Sequence, residues 1–427
     1  MNTKKITLPN GLRLLVTEMP SLQSVTVTVW VRVGSRYETP EIAGISHFLE
    51  HMVFKGGKKY TTAKAVSEAV DALGGEFNAG TSKEWTNFYI KARAGSMAKA
   101  IDILADMTTS PKLATDDIER ERGVIIEEMN MYEDTPMYRI GDIFDQVMYP
   151  DTKIGLDIIG NKETIKKISQ QDFIDFRNTY YDPGNIVVTI AGGVTATEAE
   201  ALTSQYFGHL VSHNKAISHD EFVAKDAPHL KLINKKNEQA HFIVGFPTFG
   251  YGDETNRHVL EVLTTVLGEG MSSRLFTEVR EKRGLAYSVR SSADFFMDAG
   301  SIGTYAGVDP KKAEEALTVI LKETYSLAHK ITPISDEELS KAKEYIKGHI
   351  ALSLENTKSV NNFFGYDELL LTKTTTPEDE YKAIDAVTVE QIYALAQKIF
   401  VPEQVKLAII GPFEDQKPFE KILTTEK

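Results

Sequence analysis

The chain has 427 residues, a length that predicts roughly two to four domains with room for buried cores. Its 61 acidic and 48 basic side chains give a formal net charge of -13, which argues against a dedicated nucleic-acid-binding protein. The absence of cysteine excludes disulfides, thiol catalysis and cysteine-ligated zinc.

The N-terminal residues give no indication of export. Lys4 and Lys5 are not followed by the apolar segment that a signal peptide needs. Nowhere does the sequence approach the run of about 18 apolar residues that a membrane span requires. We therefore expect a cytoplasmic protein that contacts neither membrane nor nucleic acid.

Strands and helices are mixed along the first part of the chain. Alternating apolar residues predict strands, and apolar residues three and four apart predict helices. Because the order lacks the strict βαβ alternation of a parallel sheet, we predict an α+β layer architecture. The predicted elements are the strand 25–33, the helix 42–54, the helix 62–73 ended by two glycines, the strand that contains 88–92, and the helices 96–107 and 116–132.

An internal repeat is the clearest large-scale signal. A short predicted helix, a proline and an apolar strand ending in glycine recur 219 residues apart, first in 168–192 and again in 387–411. Ser169 and Thr388 each precede their helix in the manner of an N-cap. Chance similarity is the alternative, but cap, proline, strand and glycine all keep the same register. We therefore predict two homologous halves.

The segment between the two halves is predicted to be a linker. Residues 211–228 are rich in His, Asp, Lys and Ala and show no apolar period. This assignment gives a first domain at 1–210 and a second, homologous domain at 229–427.

Two histidines mark a candidate metal site in the first half. His47 and His51 lie at positions i and i+4 of the predicted helix, so both imidazoles leave the same face one turn apart. This spacing suits two ligands of one zinc ion, and Glu50 adds a carboxylate beside them. Apolar neighbours indicate a buried helix, and no other histidine occurs in the first 200 residues. The order is that of the inverted H-x-x-E-H motif, and the alternative is a solvated helix face.

A third ligand is expected on the helix 116–132. Glu121 and Glu128 are seven residues apart and share a face that also carries apolar residues. A carboxylate on an apolar face should be paired or metal-bound, so the alternatives are a zinc ligand and a salt bridge to an arginine. Glu127 lies off this face. Two histidines and one carboxylate would leave one zinc position for water, whose proton Glu50 would take.

The sequence resembles the pitrilysin/insulinase (M16) metallopeptidases, specifically the processing-peptidase-like members, along essentially its whole length. The matching segments are 34–38, 44–51, 54–56, 74–79 and 119–129. The resemblance implies two homologous domains of the α/β-roll type and one zinc ion per chain, bound by His47, His51 and Glu128. It also implies that Glu50 is the catalytic base and that Glu121 orients the site without binding the metal.

The same resemblance assigns substrate contacts in both halves. Asn78 and Ala79 match an edge strand that pairs with the substrate backbone. Arg280 and Tyr287 match an arginine–tyrosine pair that hydrogen-bonds substrate carbonyls, with Tyr287 steadying the developing oxyanion. From the residues alone, a helix-end arginine and a core tyrosine would be the better explanation. The second half carries no H-x-x-E-H motif.

Together these features predict a zinc metalloendopeptidase with Glu50 as general base. The resemblance implies that its two halves enclose a closed chamber, inside which peptides or unfolded segments are hydrolysed. Zinc is the expected cofactor and an unfolded polypeptide the expected substrate. Because the zinc motif and the Arg–Tyr pair lie on one chain, we expect a homodimer. Two alternatives remain, a non-catalytic core subunit of a larger complex and the catalytic subunit of a heterodimeric processing peptidase.

Overall fold

The computed structural model describes residues 1–213, 217–225 and 229–425, within which the chain forms eleven strands and fifteen α-helices. The strands are β1 (Thr3–Thr7), β2 (Arg13–Glu18), β3 (Ser24–Val31), β4 (Glu76–Thr81), β5 (Thr86–Arg93), β6 (Ile186–Gly192), β7 (Leu230–Asn234), β8 (Ala240–Thr248), β9 (Ala286–Phe295), β10 (Gly300–Val308) and β11 (Lys406–Gly411). The helices are α1 (Ile45–Val53), α2 (Ala63–Asp71), α3 (Met97–Thr109), α4 (Thr115–Asp134), α5 (Pro136–Met148), α6 (Lys162–Ile165), α7 (Gln170–Tyr180), α8 (Ala196–Phe207), α9 (Glu254–Gly268), α10 (Ala313–Ala328), α11 (Asp336–Ser353), α12 (Thr357–Leu371), α13 (Pro377–Ala386), α14 (Val389–Ile399) and α15 (Lys417–Thr425). None of these described helices has both the length and the apolar character needed to cross a membrane.

The chain divides into two compact units, and each unit is assembled from three segments. The first unit consists of Met1–Asn130, Leu156–Asp220 and Ala351–Pro377. The second unit consists of Met131–Gly155, Glu221–Ile350 and Glu378–Lys427. Each half of the sequence therefore contributes one segment to the unit formed mainly by the other half.

The domain boundaries that the repeat predicts, 1–210 and 229–427, concern homology and stay a prediction. The sequence repeat reports which elements are homologous, whereas the units report which elements pack together. Part of the predicted linker 211–228, namely residues 214–216 and 226–228, lies outside the described residues.

The first unit is built around a six-stranded sheet in the order β1-β2-β6-β3-β5-β4. β2 and β6 run parallel, and the other neighbouring strands run antiparallel. Val27 and Val29 of β3 are fully buried in one core with Phe48 and Leu49 of α1. The sheet thereby provides the apolar surface on which α1 rests, and β4 forms one edge of it.

The second unit is built around a five-stranded sheet in the order β7-β11-β8-β10-β9. β7 and β11 run parallel, and the other neighbours run antiparallel. Its core joins Phe242 of β8 with Leu260 and Leu263 of α9 and Ile320 of α10. β9 is an edge strand of this sheet, in the place that β4 has in the first.

The predicted repeat and the α+β architecture are confirmed by the two sheets. β6 and β11 occupy the same place, each between one parallel and one antiparallel neighbour. The helices that precede them, α7 and α14, begin at Ser169 and Thr388, and each of these residues forms a capping box. The local signals of the repeat thus mark equivalent elements of two similar sheets.

α12 belongs to the second half of the sequence but packs on β3 and β6 of the first sheet. A buried polar contact fixes it there, because Asn361 Nδ2 donates to Thr26 O at 2.8 Å and to Thr189 O at 3.1 Å. A Cβ at Gly365 would lie 2.6 Å from Trp30 Nε1, so only glycine permits this close approach. In the opposite direction, α5 packs on β8 and β11 of the second sheet.

Helix α1 starts later than the sequence pattern predicts. The expected helix 42–54 is divided into the 3₁₀ turn Pro40–Ile42 and α1, which begins at Ile45. Gly44 interrupts the helical conformation because its φ is 97°, in the left-handed region that favours glycine.

We expect Asn361→Ala to lower the free energy of unfolding by about 1–3 kcal/mol, because buried carbonyl groups lose their donor. Asn362→Ala is the matched control, since Asn362 is exposed on the same helix. It should change stability by less than about 0.5 kcal/mol. Urea unfolding of both variants measures the difference, and equal stabilities would contradict a structural role for this contact.

Candidate metal centre

Helix α1 is held by its apolar face and presents its polar face away from the core. Phe48, Leu49 and Met52 are fully buried against the first sheet. His47, Glu50 and His51 are only partly buried on the remaining face. The i, i+4 spacing of the two histidines brings their ring centres within 4.6 Å, as the sequence pattern predicts.

The N-terminus of α1 is anchored by Glu38. No side chain caps the helix at Gly44. The Glu38 carboxylate instead accepts hydrogen bonds from Gly44 N and Ser46 N, both at 2.7 Å. Burial raises the pKa of Glu38 to about 7, although these two hydrogen bonds oppose the shift. The carboxylate takes the place of a local cap and fixes the helix one residue before His47.

Helix α4 supplies the carboxylates opposite α1. Ile118, Ile125 and Met129 are buried with Glu121 on the face that the sequence predicts to point inward. Glu128, two turns after Glu121, is partly buried, whereas Glu127 is exposed. The apolar residues therefore turn Glu121 and Glu128, but not Glu127, toward α1.

His47, His51 and Glu128 form a cluster whose ligand atoms all lie within 4.8 Å of one another. Glu128 Oε2 lies 3.8 Å from His47 Nε2 and 3.5 Å from His51 Nε2. Tetrahedral zinc with bonds of about 2.0–2.1 Å separates its ligand atoms by about 3.4 Å. The donor set and its spacing therefore fit a zinc ion, and no other such cluster occurs among the described residues.

Glu121 fixes the orientation of the His51 ring. Its Oε1 lies 2.9 Å from His51 Nδ1, so the ring donates its Nδ1 proton and leaves Nε2 as the acceptor facing Glu128. The other oxygen of Glu121 is in contact with Lys55 Nζ. Burial would raise the pKa of Glu121, but the hydrogen bonds from His51 and Lys55 outweigh it and hold the pKa below its ordinary value.

His47 is held in the neutral form that binds metals. Burial, and after it the charge of His51, lower the pKa of His47 to about 3. Its Nδ1 is buried and neither accepts nor donates a hydrogen bond among the described residues. A neutral imidazole with one nitrogen directed at Glu128 is the form in which histidine ligates a metal ion.

Glu50 lies beside the cluster but does not belong to it. The charges of His51 and Glu128 both act on its carboxylate, and Thr81 Oγ1 donates a hydrogen bond of 2.5 Å to Glu50 Oε2. Burial is the largest influence and raises the pKa of Glu50. The site therefore contains a carboxylate, that of Glu50, which lies close to the three-residue cluster without being part of it.

The remaining predicted residues lie on the two edge strands and one helical turn. Asn78 and Ala79 are in the middle of β4. Arg280 is in the π-helical turn Phe276–Glu281 of the second unit, with its guanidinium 5.1 Å from the ring centre of Tyr287 on β9. Tyr287 is 78% exposed, so the alternative of a core tyrosine is wrong. The substrate contacts of these four residues stay predictions.

Sequence reasoning missed three residues that support the site, namely Glu38, Lys55 and Thr81. Glu38 and Lys55 lie within the segments that carry the family resemblance, and Lys55 follows His51 by four residues, but no spacing relates either residue to α4. Thr81 lies three positions after Asn78 and two after Ala79 on β4. Its contact with Glu50 depends on how β4 packs against α1. Only the tertiary structure reveals these contacts.

Family models match both halves of the chain. Residues 13–162 match the model described as Insulinase (Peptidase family M16). Residues 167–346 match the model described as Peptidase M16 inactive domain. The metal cluster lies within the first matched segment, and Arg280 and Tyr287 lie within the second.

Curated relatives are similar along nearly the whole chain. One is an uncharacterized zinc protease of Streptomyces coelicolor, 37% identical over 97% of this chain and 90% of the relative. Another is an uncharacterized zinc protease of Bacillus subtilis, 37% identical over 96% of this chain and 98% of the relative.

Two solved structures share the fold. A protease from Helicobacter pylori has a TM-score of 0.89 and 24% identity, covering 96% of this chain and 99% of its own. A peptidase M16 inactive domain from Pseudomonas fluorescens has a TM-score of 0.88 and 18% identity, covering 97% and 99%. At these identities the likeness concerns the fold alone.

We expect His51→Ala and Glu128→Gln each to abolish tight zinc binding, because each variant removes one of three ligand atoms. Glu121→Gln should weaken binding about 10- to 100-fold, because it disturbs the orientation of His51. Competition with a chromogenic chelator measures the zinc affinity. Glu127→Gln is the matched control and should bind zinc as the parent does. A loss confined to Glu127→Gln would show that the ligand assignment is wrong by one position.

Proposed function

The chain belongs to peptidase family M16, and we propose that it is a zinc-dependent endopeptidase. The observation that carries this proposal is the convergence of ligand atoms from His47, His51 and Glu128 on one point of the first unit. The names of relatives similar along the whole chain support it. When bound, zinc supplies Lewis-acid chemistry, activating water and polarising a carbonyl group at neutral pH.

The proposal gives Glu50 the role of general base. With Oε2 bonded to Thr81, Oε1 accepts no hydrogen bond from the described residues and is the oxygen available for a proton. Glu50 accepts a proton from the attacking water at Oε1 and delivers it to the departing amine nitrogen. Glu121 meanwhile keeps the proton of His51 on Nδ1, so that Nε2 faces the metal position.

An extended peptide is the substrate that fits the first sheet. β4 is an edge strand, and no described strand pairs with its outer side. A peptide can extend the sheet there by backbone hydrogen bonds, with Asn78 and Ala79 at the point of contact. Because this pairing requires a free extended segment, the proposed substrates are peptides and unfolded polypeptides rather than folded proteins. The closed chamber stays a prediction from the family resemblance.

We further propose a homodimer in which Arg280 and Tyr287 of one protomer complete the zinc site of the other. The exposure of Tyr287 and the stacking of Arg280 on its ring support this role, since a phenol and a guanidinium are both suitable donors to a substrate carbonyl. A C₂ dimer of this kind contains two composite sites.

A non-catalytic core subunit and a heterodimeric catalytic subunit are the alternatives. A scaffold has no need of three converging ligands and a separate carboxylate, and all of these are retained. A heterodimer would take its Arg–Tyr pair from another chain, whereas this chain has its own. Peptide hydrolysis by the purified chain alone would exclude both alternatives.

We expect Glu50→Gln to lower kcat for hydrolysis of an unstructured peptide by at least about 100-fold, because the base is lost. Zinc content should stay at the parental level, because Glu50 is not a ligand. Mass spectrometric detection of the peptide fragments, together with metal analysis of the same protein, measures both effects.

Glu127→Gln serves as the control for Glu50→Gln, since it makes the same chemical change at an exposed position. It should hydrolyse the peptide at the parental rate. Parental turnover by Glu50→Gln would refute the assignment of the base, and loss of zinc in that variant would point to a ligand instead.

The dimer is tested by mixing two inactive variants, Glu50→Gln and Arg280→Ala, in equal amounts under conditions that exchange subunits. Half of the dimers would then be mixed, and each mixed dimer would hold one intact and one doubly defective site. We therefore expect recovery of roughly a quarter of the parental activity. No recovery would mean that Arg280 acts within its own chain, and a fully active monomer would also contradict the dimer.

A further inference from the structure

We propose that Thr81 is a positioning residue for Glu50 and couples the edge strand β4 to the base, an inference that rests on the proposed function of Glu50. Thr81 Oγ1 donates to Glu50 Oε2 at 2.5 Å. Hydrogen bonds from a hydroxyl to a carboxylate are short and strong because the acceptor is charged. Thr81 is the last residue of β4, so this bond joins the strand to α1.

The bond determines which oxygen of Glu50 remains available. The terminal torsion of a glutamate is broad and roughly two-fold, so an unrestrained carboxylate samples many orientations. The bond to Oε2 selects one of them and leaves Oε1 for the proton. The charges of His51 and Glu128 both influence the pKa of Glu50, which shows that its carboxylate lies near these candidate metal ligands. The bond to Thr81 therefore orients Glu50 beside the metal site.

Thr81 lies at a well-fixed point of the backbone. It pairs with Thr86 across the β4–β5 ladder. The turn that follows is closed by a hydrogen bond of 2.8 Å from Ser82 N to Trp85 O. The hydroxyl of Thr81 is therefore carried by a strand end and a tight turn rather than by a free loop.

The same turn is bound to the segment that precedes α1. Arg36 N donates to Lys83 O at 2.8 Å. The Arg36 guanidinium pairs with Glu84 at 2.6 Å, and both side chains are 2% exposed. A buried pair with such a contact resists displacement, because separating it would leave an uncompensated charge in the core. Thr81 thus has a fixed relation to the helix that bears Glu50.

This arrangement has a consequence for substrate binding. A peptide that pairs with β4 contacts the same strand whose last residue, Thr81, is hydrogen-bonded to Glu50. Peptide binding and the orientation of the base therefore both depend on β4. Thr81 contributes its side chain to Glu50, while the strand contributes its backbone to the peptide. Loss of the hydroxyl should therefore affect the chemical step and leave peptide binding unchanged.

The test is Thr81→Val, which keeps the branched shape of the side chain and removes the hydroxyl. We expect kcat for an unstructured peptide to fall about 10- to 100-fold, as for a misplaced reacting group. KM should stay within about twofold and zinc affinity unchanged, because neither the strand backbone nor a ligand is altered. Thr81→Ser retains the hydroxyl and should recover most of the lost kcat.

Thr108→Val on α3 is the matched control. Thr108 is buried and donates to Leu104 O at 2.7 Å, so the same substitution removes a structural hydrogen bond without touching Glu50 or β4. Its kcat per folded molecule should equal that of the parent. If Thr81→Val fails to fold, Thr81→Ala provides the same comparison with a smaller side chain.

The outcomes separate this inference from the proposed function. Parental kcat in Thr81→Val, a rise in KM alone, or a defect that Thr81→Ser shares would overturn the positioning role. If Glu50→Gln is inactive in the same assays, the proposed function survives that result. If Glu50→Gln hydrolyses the peptide normally, the proposed function itself fails.

Discussion

The imidazole of His51 contacts both glutamates of α4, and the candidate site depends on these contacts. Its Nδ1 lies 2.9 Å from Glu121 Oε1, and its Nε2 lies 3.5 Å from Glu128 Oε2. The two glutamates are separated by about 10.5 Å along their helix, so they approach the ring from opposite ends. Rotation or sliding of either helix would break one of these contacts. The convergence of the ligands is therefore a consequence of helix packing, which the buried apolar faces of α1 and α4 hold in place.

The part of this site that could be predicted from the sequence is the part that local geometry determines. Residues four apart on a helix share a face, so His47 and His51 had to lie together once the helix formed. The capping signals of the repeat are equally local, and they identified α7 and α14 correctly. Contacts between elements distant in sequence could not be predicted in this way. The bond from Thr81 to Glu50 and the packing of α12 on the first sheet arise only from the tertiary arrangement.

The second half keeps the outline of the site without its ligands. α9 packs on the edge strand β9 and on α14, as α1 packs on β4 and α7. On α9, His258 and Glu261 have the spacing of the first histidine and the glutamate of H-x-x-E-H, but Val262 occupies the position of the second histidine. One imidazole of the pair is thus replaced by an isopropyl group, and the described residues of this half hold no cluster like that of His47, His51 and Glu128. The asymmetry between homologous halves therefore resides in few side chains rather than in the fold.

The charged groups around His258 interact with one another. His258 Nε2 lies 2.8 Å from Glu380 Oε2, and Arg257 lies 3.9 Å from the other oxygen of that carboxylate. Burial, and after it the charge of Glu380, raise the pKa of Glu261 to about 7. A carboxylate in an apolar setting must be paired or protonated, and here the contacts of Glu380 with Arg257 and His258 and the raised pKa of Glu261 serve that purpose. In the first half, Lys55 contacts Glu121, and the neutral His47 beside Glu128 offers a metal donor rather than a counter-charge.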